Sequence, residues 1–258
     1  MRKLEVAAGA TLALVLAFGA GPARSQSLDV PFEPQTLETQ SLETPQPLDL
    51  SSVAEPRPFD ASMLDVPRDD RRTMRAFPKN LGRNFVGVFS GQNLFPFAVG
   101  LGVTTLASAF DGHSETMLKG ACNACGKTGA TMGGSAIVPM VGALFVAGRF
   151  APQGRFRSMS YDFAQALVVN GAYTGLLKKT VSRTRPDGSD TLSFPSGHTS
   201  TAFSLAGIAT HHYGWKVGVP AYALASCIGL TRIEQDRHHL SDVLAGATLG
   251  FIVGRTVT

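Results

Sequence analysis

The stretch LSFPSGHTSTAF, residues 192–203, joins turn-forming residues to the start of a long apolar segment. Pro195 prevents a helix from extending backward into the preceding loop, and Ser196 with Gly197 opens the next helix. The N–H groups of a helix's first turn can bind a phosphate, and Ser196 adds a hydroxyl group. His198 would then stand beside the bound anion, where an imidazole can give a proton to a leaving oxygen. The alternative interpretation is a capped helix with an incidental histidine.

The rest of the chain is typical of packed helices rather than of a sheet. Of the 258 residues 44% are hydrophobic, only 16% are charged, and 28 are glycine. Alternating β-branched patterns are rare. Apolar segments of helical length occupy residues 94–110, 135–150, 161–177, 199–212, 217–230 and 240–257. Most are shorter than the ~20 residues that a membrane span requires, so a soluble bundle and a membrane bundle with polar-lined helices both fit the pattern.

The N-terminal region predicts export. Residues 1–25 have a positive start, an uninterrupted apolar run and small residues at its end, as in a signal peptide cleaved near Gln26. An uncleaved anchor is the alternative. Residues 26–66 are rich in Pro, Ser, Thr and acidic residues and predict a disordered linker before a helical domain at residues 67–258. We therefore expect the protein in the periplasm or on the outer side of the cytoplasmic membrane.

The charge balance argues against a nucleic-acid partner. Removing residues 1–25 leaves 20 basic and 18 acidic residues, and no basic patch is interleaved with aromatic residues. One basic run stands out at residues 67–83. It could contact anionic lipid headgroups, or it could be the solvated face of a first helix.

Three cysteines leave two interpretations open. Cys122 and Cys125 in the sequence CNAC could form a local disulfide in an exported protein, or half of a zinc site. A zinc site needs further soft ligands, and no second cysteine pair exists, so we expect no metal. Cys227 lies in an apolar segment and is interpreted as a core residue.

Charged and titratable residues gather in the last third of the chain. His238 and Asp242 are four residues apart, so a helix would place the carboxylate beside one ring nitrogen and leave the other free to attack or to accept a proton. A plain ion pair on a helix face would have the same spacing. Lys178, Arg185 and Arg232 each end an apolar segment, where their cationic groups suit phosphate oxygens. An acidic pair, Asp187 and Asp190, occupies the connecting loop.

Together these residues resemble the type-2 phosphatidic acid phosphatase and vanadium haloperoxidase superfamily. The family pattern consists of K-x6-RP, then PSGH, then SR-x5-H-x3-D. Its three parts occur here in order, at Lys178 to Arg185-Pro186, at Pro195 to His198, and at Thr231-Arg232 to His238 and Asp242. The one departure is Thr231, where the family has serine and a hydroxyl is retained. The resemblance covers residues 163–254.

The resemblance implies an all-α fold, a bundle of about six core helices with the active site at helix ends. It implies that His238 is a nucleophile that forms a phosphohistidine, that Asp242 orients it, and that His198 protonates the leaving oxygen. It also implies a set of residues that bind the phosphoryl oxygens and replace a metal ion: Lys178, Arg185, Ser196, Gly197 and Arg232. No cofactor is implied for hydrolysis.

The expected function is hydrolysis of phosphate monoesters outside the cytoplasm. The substrate would be a phosphorylated lipid such as phosphatidate, or a small phosphate ester, and membrane association is expected with the lipid. A soluble acid phosphatase of broad specificity is the first alternative. A haloperoxidase that holds vanadate in the same site is the second, although chains of that kind are usually much longer.

Overall fold

The computed structural model describes residues 71–118 and 136–258, and within them every regular element is helical. One 3-10 turn, Gly91–Asn93, separates the first two α-helices. The helices are α1 (Phe77–Gly87), α2 (Leu94–Ser108), α3 (Asp111–Leu118), α4 (Ile137–Phe150), α5 (Arg155–Val181), α6 (Gly197–Tyr213), α7 (Trp215–Glu234) and α8 (Leu240–Val257). The all-α prediction is confirmed. The predicted signal peptide, the linker and the CNAC sequence lie outside the described residues.

The six predicted helices are α2 and α4–α8, and two of their boundaries are instructive. Helix α8 has the predicted ends. Helix α5 begins before residue 161, because its first turn carries Arg155 and Arg157 and so lies outside the apolar run. Helix α1 agrees with the interpretation of the basic run as a first helix, and α3 lies outside every predicted apolar segment.

Helices α5 to α8 run alternately up and down. The C-terminal ends of α5 and α7 therefore meet the N-terminal ends of α6 and α8. We call this end, which carries Lys178, His198, Arg232 and Asp242, the histidine end. The opposite end, which carries Arg72, is called the arginine end.

Left-handed residues end the helices that reach the histidine end. Ser182 follows α5 with φ 46°, and its N–H donates to the Lys178 carbonyl oxygen at 3.1 Å. After α7, Asp236 has φ 53° and the Arg237 N–H donates to the Arg232 carbonyl oxygen at 3.0 Å. This i to i−5 bond around a left-handed residue is the pattern that terminates many helices. It turns the chain directly toward His238.

The main core lies between α5, α6 and α8. Ala166 and Val169 of α5 are fully buried against Ile208 of α6 and Ile252 of α8. Apolar burial at about 25 cal/mol per Å² is the main driving force for this packing. A second core joins α6 to α7, where the Phe203 and Tyr222 rings pack edge to face.

Helices α6 and α8 touch along their backbones. A Cβ atom added at Gly246 or Gly254 would lie 2.5 Å or 2.7 Å from the carbonyl oxygen of Ser196 or Ser204. At Gly250 it would overlap the Ser200 carbonyl oxygen. Three glycines spaced four residues apart thus form a strip on α8, where any side chain larger than a hydrogen atom would collide with the backbone of α6.

Helix α8 is long and apolar enough to cross a membrane, and α1 with α2 would form a second such segment, bent by 53°. Helix α8 is also mostly buried within the bundle. Core helices of soluble proteins share these properties, so length and composition alone assign no span.

Cys227 is disulfide-bonded and does not form a free thiol in the core. The interpretation of Cys227 as an ordinary core residue is therefore wrong. The predicted pairing of Cys122 with Cys125 falls outside the described residues.

The glycine strip predicts a large cost for a single methyl group. Gly250→Ala forces α6 and α8 apart and should lower the free energy of unfolding by about 1–3 kcal/mol or more, as overpacked cores do. Gly171→Ala is the matched control, because this exposed glycine inside α5 has open space around it. That change should raise stability by about 0.5–1 kcal/mol through helix propensity. Denaturant unfolding followed by circular dichroism measures both, and equal effects would contradict the close contact.

Candidate active site

Two loops build the histidine end, and they are bonded to each other. In the loop between α5 and α6, the Asp187 N–H donates to the Asp236 carbonyl oxygen at 3.0 Å. In the other direction, Arg237 Nη1 donates a hydrogen bond to Asp187 Oδ2 at 3.0 Å. Arg185 Nη1 donates to the Arg237 carbonyl oxygen at 3.1 Å. These cross-bonds fix the two loops that carry the predicted site residues.

His238 is almost completely buried, 2% exposed, beside Asp242. Its Nδ1 atom lies 3.8 Å from Asp242 Oδ2, which is longer than a hydrogen bond, and has no hydrogen-bond partner among the described residues. Burial lowers the pKa of His238, although the Asp242 carboxylate opposes the shift. The predicted pairing is thus present as close proximity, but His238 lies in the loop two residues before α8 and not on the helix, so the predicted helical i to i+4 contact is wrong.

The Asp242 carboxylate is instead saturated by other donors. Arg183 Nη1 donates to Oδ1 at 2.8 Å. The Ser193 hydroxyl and the His239 N–H donate to Oδ2 at 2.5 Å and 3.0 Å. This carboxylate is held in one orientation, with Oδ2 facing the His238 ring.

Arg183 and Asp111 extend this network away from the histidine. Arg183 Nη2 donates to Asp111 Oδ2 at 2.7 Å. Asp111 also accepts the Ser241 N–H at 2.9 Å and the Ser241 hydroxyl at 2.7 Å. The sequence prediction missed both Arg183 and Asp111 as site residues. Asp111 is 130 residues from Ser241 in the chain, so no local spacing could have indicated the contact.

His198 lies in the first turn of α6, surrounded by positive charge. Burial, and then the charges of Arg232, His238, Lys178 and Arg185, lower the pKa of His198 to about 4. Each of these groups disfavours an imidazolium, so His198 is neutral at pH 7 unless an anion is bound beside it.

Lys178 extends from the end of α5 along the first turn of α6. A Cβ atom added at Gly197 would lie 3.9 Å from Lys178 Cε. The Lys178 ammonium group donates to the Leu192 carbonyl oxygen at 2.5 Å. Burial, and then the charge of Arg185, lower the pKa of Lys178 to about 8. The cation is therefore destabilised by its surroundings and would be favoured by an added anion.

Arg185 and Arg232 complete the cationic groups. Arg185 Nε donates to Asp190 at 2.6 Å and its Nη1 to the neighbouring loop, which leaves Nη2 for a bound oxyanion. Arg232 is 8% exposed, and its Nε has no hydrogen-bond partner among the described residues. The acidic pair singled out in the sequence serves these loops, since Asp190 holds Arg185 and Asp187 holds Arg237.

Ser196 has a different immediate role from the predicted one. Its hydroxyl lies 2.9 Å from Thr199 Oγ1, and its N–H donates to the Asp242 carbonyl oxygen at 2.9 Å. Ser196 therefore joins the start of α6 to the first turn of α8. The first-turn N–H groups that follow, beginning at Gly197, have no partner within the helix.

The geometry defines a class of site. Three cations, a helix N-terminus and two histidines meet at the same end of one helical bundle, an arrangement suited to holding an oxyanion. Within the described ranges, no group of three or more His, Cys, Asp or Glu side chains could hold a metal ion.

Comparison with known proteins identifies the family of this segment. The model of the PAP2 superfamily matches residues 161–258, which contain all three sequence motifs. The resemblance predicted from the three motifs is confirmed.

Individual relatives match over shorter distances. The chain is 38% identical over 126 residues to a lipid A 1-phosphatase of Porphyromonas gingivalis, covering 46% of this chain and 28% of that protein. It is 33% identical over 82 residues to a lipid A 4'-phosphatase of Helicobacter pylori, covering 32% and 38%. The chain thus spans about a third of the length of these relatives. The crystal structure of Aquifex aeolicus LpxE covers 59% of this chain and 92% of its own, with 22% identity and a TM-score of 0.44.

The Arg183 network predicts a measurable loss of stability. Arg183→Gln removes the cation between two buried carboxylates and should lower the free energy of unfolding by about 3 kcal/mol, near the lower end for a broken buried pair. Arg237→Gln is the matched control, because its ion pair with Asp187 is 47% and 27% exposed and should contribute about 0–1 kcal/mol. Urea unfolding of the two variants measures the difference. Similar losses would show that the two ion pairs of Arg183 contribute no more to stability than the exposed pair of Arg237.

The crowding of cations predicts a pKa response in His198. In the empty protein the imidazole should titrate near pH 4, and bound orthovanadate should raise that pKa because the anion opposes the surrounding positive charge. Imidazole ¹⁵N NMR as a function of pH measures both states, with His198→Gln assigning the signal. A His198 pKa that does not move when vanadate binds would mean that the anion site lies elsewhere.

Proposed function

We propose that this protein is a phosphatase that hydrolyses phosphate monoesters, chiefly lipid phosphates, through a phosphohistidine and without a metal ion. The observation that carries the proposal is the meeting of His198 and His238 with Lys178, Arg185 and Arg232 at one end of the bundle. A phosphoryl group placed there would contact cations on its oxygens and an imidazole on each side.

In the first step His238 acts as the nucleophile. Its Nε2 lone pair forms a bond to phosphorus while the bond from phosphorus to the ester oxygen breaks. Asp242 lies near Nδ1 and stabilises the positive charge that develops on the ring. His198 gives its proton to the leaving oxygen, and the product is an alcohol. His198 without a neighbouring anion is neutral, so this role requires the substrate phosphate, whose negative charge raises the pKa of His198.

In the second step water replaces His238. His198, now neutral, accepts a proton from the water as its oxygen bonds to phosphorus and the bond from phosphorus to Nε2 breaks. Inorganic phosphate and the free histidine are the products. Lys178, Arg185 and Arg232 stabilise the charge on the phosphoryl oxygens in both steps, the electrostatic work that often dominates a catalytic effect.

A lipid substrate is supported by two observations. The relatives in Porphyromonas gingivalis and Helicobacter pylori are named for phosphate groups of lipid A. The outer face of α2 carries large exposed apolar side chains, with Phe95 75% exposed and Leu101 and Leu106 each 70% exposed. Exposed apolar surface of this kind marks an interaction site, and a membrane would cover it next to a lipid substrate.

We place the activity outside the cytoplasm, on the signal-like sequence of residues 1–25. N-terminal sequencing of the purified protein distinguishes cleavage near Gln26 from an uncleaved anchor. Carbonate extraction of the membranes then separates a peripheral protein from an integral one.

Loss of the nucleophile tests the mechanism. His238→Ala should reduce phosphate release by more than about a thousandfold, because the covalent step cannot occur. His239→Ala is the matched control, since the ring of His239 contacts the Thr184 carbonyl oxygen at 3.2 Å, and should retain activity within a few-fold. An alkaline quench with ³²P-labelled substrate should trap label on wild type and none on His238→Ala. Label retained by that variant would refute the assignment of His238.

The same assay, run on several substrates, separates the candidate functions. Faster hydrolysis of phosphatidate and lipid A than of p-nitrophenyl phosphate supports the lipid phosphatase. Equal rates support the soluble acid phosphatase of broad specificity. Halide oxidation by peroxide in the presence of vanadate, with no phosphate release, would support the haloperoxidase instead.

A further inference from the structure

A polar cavity lies at the arginine end of the bundle. It has a volume of about 290 Å³ and is bordered by α1, the N-terminal part of α5 and the C-terminal ends of α6 and α8. Asp162 lines this cavity, and Lys178 of the active site lies 16 residues further along the same helix. The two sites are therefore about 24 Å apart along the α5 axis.

The acidic side chain in the cavity is already neutralised. Asp162 is 1% exposed and receives two hydrogen bonds from Arg72, Nε to Oδ1 at 2.8 Å and Nη2 to Oδ2 at 2.9 Å. His212 Nε2 lies 2.8 Å from the same Oδ2. Among the described side chains that line the cavity, Asp162 is the only carboxylate.

Two further arginines line the cavity without a carboxylate of their own there. Arg83 Nη2 donates to the Asn80 side-chain oxygen at 3.2 Å. Asn80 donates in turn to the Arg71 carbonyl oxygen at 2.7 Å, which anchors Arg71 against α1. Arg71 and Arg83 thus leave the cavity positive. The main chain of Thr258 also borders it and accepts from Arg72 at 3.4 Å, and even a carboxylate at that position would leave an excess of positive charge.

The neighbouring polar groups suit an oxyanion. His211 lines the cavity, and burial together with the adjacent His212 lowers the pKa of His211, so its neutral ring can donate one hydrogen bond without adding charge. Asn84 is 6% exposed and also lines the cavity; its Nδ2 donates one hydrogen bond to Gln165 Oε1 at 3.3 Å, and the amide has a second N–H. Guanidinium forks with amide and imidazole donors form the usual surroundings of a protein-bound phosphate.

We propose that this cavity is a second, non-catalytic site that binds the phosphate group of an anionic ligand through Arg71 and Arg83. Its volume lies at the lower end of the about 300–1,000 Å³ range of ligand pockets, which suits a small phosphate or a single headgroup rather than a whole lipid. Arg71 and Arg83 belong to the basic run at residues 67–83, to which the proposed reaction at the histidine end assigns no role.

The test counts phosphate sites on the full chain. Isothermal titration with inorganic phosphate should show two sites on wild type and one on the double variant Arg71→Gln/Arg83→Gln, with affinity at the cavity reduced at least tenfold. Arg75→Gln/Lys79→Gln is the matched control, because both residues are exposed and basic, lie in the same segment and do not line the cavity. The control should keep both sites, and both double variants should keep full phosphatase activity.

A second measurement identifies the source of the phosphate. Binding to phosphatidylcholine vesicles with and without phosphatidylglycerol is compared by co-flotation. If Arg71→Gln/Arg83→Gln weakens binding to the anionic vesicles at least tenfold more than the control does, the ligand is a lipid headgroup. If only titration with inorganic phosphate changes, the ligand is a free phosphate.

Two outcomes would overturn the proposal. One is unchanged phosphate stoichiometry and unchanged vesicle binding in Arg71→Gln/Arg83→Gln. The other is an equal loss in the control, which would show a general effect of surface charge. Circular dichroism and thermal unfolding confirm that each variant is folded. Because the catalytic residues are intact in both, loss of the cavity site and failure of the phosphatase proposal are separate results.

Discussion

The backbone contact between α6 and α8 determines how the site is assembled. The carbonyl oxygens of three α6 residues occupy the space that side chains on three α8 glycines would need. The pairs are Ser196 with Gly246, Ser200 with Gly250, and Ser204 with Gly254. At this distance the first turns of the two helices share a hydrogen bond, from the Ser196 N–H to the Asp242 carbonyl oxygen at 2.9 Å. The turn that holds His198 and the turn that holds the carboxylate next to His238 are therefore parts of one rigid unit.

The electrostatics of the histidine end follow from where its carboxylates are directed. Asp242 bonds to Arg183 and Asp190 bonds to Arg185, both at the edges of the site. Lys178 and Arg232 have no acidic partner at hydrogen-bond distance among the described residues. Burial lowers the pKa of both groups, and the positive charge of Arg185 lowers both further. The folded protein tolerates this electrostatic repulsion, and a bound oxyanion would reduce it. This release of repulsion is the physical basis for the proposed binding of phosphate at the histidine end.

The sequence predicted the features that have short spacing. Apolar segments of helical length located α8 and the central parts of the other core helices. Asp242 lies next to His238 as predicted, but His238 is in the loop before α8, so helical spacing is not what brings the two together. Charged first turns, as in α5, lack an apolar period and were missed. Contacts between distant parts of the chain were missed for a different reason. Asp111 reaches Arg183 only because α3 packs at the histidine end, and no local pattern contains that information.

The two ends of the bundle handle buried charge in different ways. At the arginine end Asp162 is surrounded by Arg72 and His212, so the carboxylate is neutralised where it stands and the remaining arginines face the cavity. At the histidine end the Asp242 carboxylate lies next to the His238 ring without a hydrogen bond to it. Lys178 and Arg232 lie in the last turns of α5 and α7. In the proposed mechanism the His238 ring forms and then breaks a bond to phosphorus. Asp242 is held by Arg183, Ser193 and the His239 N–H rather than by the imidazole, so no hydrogen bond from this carboxylate restrains the His238 ring. The carboxylate can then respond to charge on the ring without having to move.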